Sequence, residues 1–92
     1  MKFIMKIGDI ATIPNIGDVV IGKNNEIEKD DISILCKKGQ EIIVEGKKEK
    51  LRFRVKDIRL TFSMSEKIII SMEFEKSEDF KKLRVGDSIY SI

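Results

Sequence analysis

The chain contains no histidine and no tryptophan, a single cysteine and a single proline. Without histidine it lacks the commonest general base and metal ligand at neutral pH. With only Cys36 no internal disulfide can form, and a reducing cytoplasm is the expected setting. Neither basic nor acidic residues prevail. Eighteen lysines and arginines face sixteen aspartates and glutamates, a net charge of +2 that does not by itself announce a nucleic-acid binder. Long hydrophobic runs are missing too. The opening MKFIMKIGD is interrupted by Lys6 and Gly8, so neither a signal peptide nor a membrane span is expected.

What is present is a 92-residue chain, expected to form one domain over residues 1–92, with 41% hydrophobic and 37% charged residues. Isoleucine, lysine and glutamate dominate, a bias expected of an AT-rich genome or of a heat-adapted protein. Short β-branched runs lie between glycines and other turn formers, the pattern of an all-β domain. Lys2 to Ile13 reads as a first strand with an irregularity at Gly8. Pro14-Asn15-Ile16-Gly17 is a turn, because Pro fixes φ while Asn and Gly tolerate positive φ. Asp18 to Lys23 returns, and Lys23-Asn24-Asn25 reads as polar loop. Ile32 to Cys36 and Glu41 to Glu45 form further strands around Lys37-Lys38-Gly39-Gln40, and Gly46-Lys47-Lys48-Glu49 turns again.

The next strand alternates cleanly, with Leu51, Phe53 and Val55 on one face and Lys50, Arg52, Arg54 and Lys56 on the other. Its apolar phase then moves to Ile58, Leu60, Phe62 and Met64. A slip of one residue turns every later side chain to the wrong face unless a bulge absorbs it, so a bulge is expected near Lys56-Asp57. Ile68, Ile70, Met72 and Phe74 return without a slip. Ser77 to Leu83 predicts one short helical turn, capped by Ser77 or Asp79, before a last strand over Ser88 to Ile92.

The motif Ile/Val-Gly-Asp occurs at 7–9, 16–18 and 85–87. Glycine permits positive φ where strands meet, and the adjacent aspartate can bond nearby backbone, so these are read as barrel corners. The stretch Asp9-Ile10-Ala11-Thr12-Ile13-Pro14-Asn15-Ile16-Gly17-Asp18-Val19-Val20-Ile21-Gly22 resembles, without a gap, the opening of domain 2 of elongation factor Tu and related translational GTPases. Ile27 to Ile32 is similar to that family's Ile-x-x-Gly-Asp motif, with Asp30 in place of Gly. Phe80 to Ile89 is similar to its closing helical turn and Arg-Gly-Asp segment. The resemblance implies a small closed antiparallel β-barrel of six to seven strands. Phe3, Ile13, Val20, Ile34, Phe53, Val55, Leu60, Ile68, Ile70, Met72 and Phe74 are the expected core.

The resemblance does not carry an activity. The phosphate-binding Gly-x-x-x-x-Gly-Lys-Ser/Thr of the GTPase domain does not occur in this chain. The family's positions for the aminoacylated tRNA end match Ala11, Ile16 and Arg59, all of which depart from the pattern, so that recognition is not carried over. Of that site's surroundings only Asp9 is retained.

No catalytic residue, metal ligand set, cofactor or small-molecule substrate is expected. Cys36 reads as a small core hydrophobe, and the pairs Asp30-Asp31 and Glu78-Asp79 lack a third ligand for an oxygen cage. One feature looks functional. Lys47, Lys48, Lys50, Arg52, Arg54, Lys56 and Arg59 form a basic stripe with two readings. As a polyanion-binding face it would track the phosphates of RNA or a ribonucleoprotein. As a salt-bridge ladder it would follow from Phe53 facing Phe74, which sets Arg54 opposite Glu73 and Arg52 opposite Glu75. No outward aromatic interleaves the cations of that strand. Ile43 and Ile69, out of phase with their apolar neighbours, are candidate protein-interface residues unless a terminal segment covers them. The expected function is a non-catalytic standalone binding module for RNA, ribonucleoprotein or protein. The alternatives are a small regulatory or immunity-type protein that blocks a partner, and an enzyme accessory subunit without a site of its own.

Overall fold

A computed structural model describes residues 2–24, 37–62 and 68–92. The expected strand at Ile32 to Cys36, the core position Ile34, the pair Asp30-Asp31 and the motif at Ile27 to Ile32 lie outside the described residues. The strands are β1 (Lys2–Ile13), β2 (Gly17–Lys23), β3 (Glu41–Glu45), β4 (Lys50–Phe62), β5 (Ile68–Phe74) and β6 (Ser88–Ser91). They close into an antiparallel barrel in the order β1-β2-β5-β4-β3-β6, with β6 pairing back onto β1. Closure leaves no free sheet edge. Cross-strand neighbours lead once round the barrel from Lys50 through Glu45, Ser88, Lys6, Lys23 and Ile69. The circuit ends at Thr61, eleven residues along the same strand. A stagger this large requires strongly tilted strands. It also explains why β4 spans 13 residues while β3 and β6 span 5 and 4.

Three bulges set which side chains face in. The register of β4 against β5 shifts between Val55 and Asp57, as the phase slip in the sequence required. Lys56 and Asp57 therefore both face outward, and Ile58 returns to the core side. A second shift lies at Gly8, between Ile7 and Asp9, and a third between Phe3 and Met5. The third is unannounced by the sequence. It turns Ile4 and Met5 both inward and leaves Phe3 outside at 36% exposure, so Phe3 is not a core residue. Ile13, beyond the Gly8 bulge, is likewise on the outer surface at 37% exposure. Leu60 is half-buried and packs on the edge of the core.

The barrel interior is filled by Ile4, Met5, Ile7, Val20, Ile42, Val44, Phe53, Val55, Ile68, Ile70, Met72, Phe74 and Ile89. The Phe53 and Phe74 rings stack at 4.9 Å, and the edge of Phe80 meets Phe74 at 6.2 Å. Phe80 belongs to a 3₁₀ turn over Glu78–Lys82, where Ser77 Oγ accepts from the Asp79 N–H at 3.2 Å. Phe80 and Leu83 close one end of the barrel.

The repeated Gly-Asp pairs sit at corners. Gly17 and Gly86 have φ of 121° and 98°, a region that disfavours any side chain, whereas Gly8 marks the bulge instead. Asp9 accepts from the Ile10 N–H at 2.8 Å and Asp87 from the Arg84 N–H at 2.9 Å. Asp18 accepts from the Thr12 hydroxyl at 2.9 Å.

Candidate functional site: the outer surface of β3, β4 and β6

The basic stripe divides in two. Its part from Arg52 to Arg59 is neutralised, but in a register different from the expected one. Val55, not Phe53, lies opposite Phe74, and Asp57 lies opposite Glu73. The expected pairing was two residues off, because the Phe53–Phe74 contact is a stacking of diagonal neighbours rather than a direct cross-strand pair. Arg54 Nε lies 3.6 Å from Glu75, and Glu73 takes Lys56 at 3.5 Å. Arg52 turns to the other neighbouring strand. There Glu41 bridges both arginines, at 3.5 Å to Arg52 and 3.3 Å to Arg54. Arg59 pairs with Asp57 at 3.6 Å, and Lys38 approaches the same carboxylate at 3.3 Å. The Lys38 ammonium holds the Asp57 carboxyl below its ordinary value. The Ile58 N–H and Arg59 add to that effect, and partial burial opposes it.

Lys47, Lys48 and Lys50 make no ion pair among the described residues. They stand at the β3–β4 turn, where the Gly46 N–H donates to the Glu49 carbonyl at 3.0 Å. Facing them is the 82–88 segment, tied to β1 by Gly86 N–H to Ile7 O and Ile7 N–H to Asp87 O, both 2.8 Å. Between the two lies an open cleft of about 710 Å³, with Leu51, Leu83, Val85 and Tyr90 as its apolar lining. Val85 is 65% exposed. At the rim Lys82 is raised above its ordinary pKa by its pair Asp79 at 3.1 Å and by Glu49, and Arg84 donates to the Lys81 and Leu83 carbonyls.

The two candidate interface isoleucines are both half-buried on the outer surface but do not form one patch. Ile43 lies opposite Arg52, and Ile69 opposite Thr61, nine residues away along β4. That is roughly 30 Å of strand.

Two outward aromatics complete the surface. Phe3 lies opposite Tyr90, Tyr90 opposite Ile43, and Ile43 opposite Arg52, one row across β1, β6, β3 and β4. The Phe3 and Tyr90 rings meet edge to face at 5.7 Å. The sequence carried half of this signal, since an inward Ile89 places Tyr90 outward. Phe3 required the bulge at Ile4.

Of the positions equated with the family's tRNA-end site, Ile16 and Arg59 line one shallow pocket with Val19 and Glu73. Ala11 lies directly opposite Val19. Among the described residues no cluster of metal-ligating side chains occurs, and no helix is long and apolar enough to cross a membrane. No protein-family model, curated protein or solved structure matches the chain.

Proposed function

We propose that the chain is a non-catalytic, translation-factor-like β-barrel module that binds RNA or a ribonucleoprotein in the cytoplasm through the outer surface around the β3–β4 turn. One observation carries this reading. The β4 cations Arg52, Arg54, Lys56 and Arg59 are consumed by Glu41, Glu73, Glu75 and Asp57, whereas Lys47, Lys48 and Lys50 make no ion pair among the described residues, beside an open cleft. Ile16 and Arg59 meet at one pocket, but both depart from the residues of domain 2 of translational GTPases, so their meeting adds no weight to that likeness. Fold-level likeness alone does not assign a role, so the weight rests on the lysines.

The test is a salt titration of RNA binding. Each phosphate contact adds about 0.7 to the slope of log K against log salt for a single strand. Replacing Lys47, Lys48 and Lys50 with Gln lowers the slope by up to about two units and leaves the fold intact. Unchanged binding by the triple variant removes the case for a polyanion. The apolar Tyr90–Ile43 contact row favours a second reading, a small regulatory protein that blocks a protein partner. Capture of one protein that resists added salt and depends on Ile43 is its signature.

A further inference from the structure

Two parallel rows of side chains run across the outside of the barrel. The first is Phe3, Tyr90, Ile43 and Arg52. The second is Lys23, Lys6, Ser88, Glu45 and Lys50, displaced from the first by two residues on β6, β3 and β4. On β1 the displacement from Phe3 to Lys6 spans three residues, one of which the bulge absorbs. The rows are thus about 6.5–7 Å apart, two residues of strand rise. Between them the side chains of Met5, Ile89 and Val44 point into the core and are at most 1% exposed.

The first row offers two aromatic rings in edge-to-face contact, both partly exposed, and an aliphatic side chain, ending in a largely exposed arginine. The second is a cationic rail. Lys6 and Lys23 stand directly opposite each other, a like-charge pair that disfavours the fold, and neither they nor Lys50 is ion-paired among the described residues. Glu45 is the rail's one carboxylate. The rail leads into the β3–β4 turn and its Lys47 and Lys48.

We infer that this surface binds single-stranded nucleic acid, with bases stacked on Tyr90 and Phe3 and phosphates along Lys6, Lys23, Lys50, Lys48 and Lys47. The inference rests on the polyanion reading above and names its substrate class. An apolar row beside a cationic row matches a nucleotide strand, whose flat bases and anionic phosphates lie on opposite sides of the sugar. From Phe3 through Tyr90 to Ile43 the apolar part of the row crosses two inter-strand gaps, about 10 Å, which suits the two or three bases that paired aromatics on a sheet accommodate. A duplex keeps its bases stacked inside and offers the rings nothing, so the surface selects single strands.

Tyr90 is the chain's one tyrosine and tryptophan is absent, so intrinsic fluorescence reports on this site alone. A short single-stranded oligouridylate, a duplex of equal length and heparin are titrated onto the full chain. The expected result is quenching of Tyr90 by the oligouridylate only. Tyr90→Leu then weakens that binding about tenfold with an unchanged salt slope, and leaves heparin binding as it was. Tyr90→Phe keeps the ring and the affinity, and Phe3→Leu weakens binding as Tyr90→Leu does, which separates stacking from a failure to fold. If oligouridylate, duplex and heparin bind alike, without quenching and unaffected by Tyr90→Leu, this inference falls while the polyanion reading stands. If none binds at any salt, both fall, and a protein partner takes their place.

Discussion

The side-chain amide of Asn24 donates a 2.7 Å hydrogen bond to the main-chain carbonyl of Ile4, and Asn24 itself is 5% exposed. Ile4 is the residue skipped by the register of β1 against β6, between Phe3 and Met5. A bulge residue forfeits its ladder partner, and a buried carbonyl left without a donor is expensive. Asn24 thus fixes the bulge that turns Met5 inward and Phe3 outward. Asn24→Ala is expected to lower stability by about 1–3 kcal/mol in urea unfolding, and to weaken single-strand binding through displaced Phe3. An unchanged midpoint would show that the bulge holds itself.

Gly22 gives the sharpest packing prediction. A Cβ there would overlap the Lys6 carbonyl oxygen and lie 2.8 Å from Met5 Sδ. The obstacle is main chain in the neighbouring strand, which cannot swing aside. Gly22→Ala is expected to cost at least about 1–3 kcal/mol. Gly8→Ala is the control, since its nearest outside atom lies at an ordinary 3.5 Å and no positive φ is required. It should be neutral or stabilising by up to about 1 kcal/mol through the unfolded chain. Comparing the two midpoints checks the close approach of β1 and β2 directly.

Asp57 predicts an acid limb. Its folded carboxyl titrates below the ordinary value of 3.8, chiefly because of Lys38. A carboxylate depressed in this way stabilises the fold above its unfolded pKa, and the contribution is lost as pH falls through the folded value. The urea midpoint should therefore decline below about pH 4, and Asp57→Asn or Lys38→Met should flatten part of that decline. Parallel curves for wild type and both variants would refute the linkage.

Among the described residues Glu41 is the one carboxylate shared by Arg52 and Arg54. Exposed ion pairs contribute little, so Glu41→Gln should change stability by less than about 1 kcal/mol. It also releases Arg52 at the end of the aromatic row, while Arg54 keeps Glu75. Affinity for a single strand should rise and its salt dependence steepen, by up to about 0.7 units if Arg52 gains a phosphate. A loss of affinity would place the strand elsewhere.

The sequence by itself determined the all-β class, the turn at Pro14 to Gly17, the short turn after Ser77 and the bulge near Lys56. Each of these is local, since φ preferences and a period of two act between neighbours along the chain. It also marked the basic stripe, because charge is written in composition. Pairing was another matter. Whether Arg54 meets Glu73 or Glu75 depends on a register that moves in steps of two without changing any residue's face, so alternation alone could not choose. The partner of Arg52 lies on β3, and the sequence offered no reason to prefer Glu41 to Glu75. The outward placement of Phe3 hangs on a bulge fixed by Asn24, twenty residues away and written in the sequence as an ordinary loop residue. Only barrel closure, with its large stagger, sets Phe3, Tyr90, Ile43 and Arg52 side by side from four different strands. That row exists because hydrogen bonds run across the chain's direction, and no pattern along the chain records it.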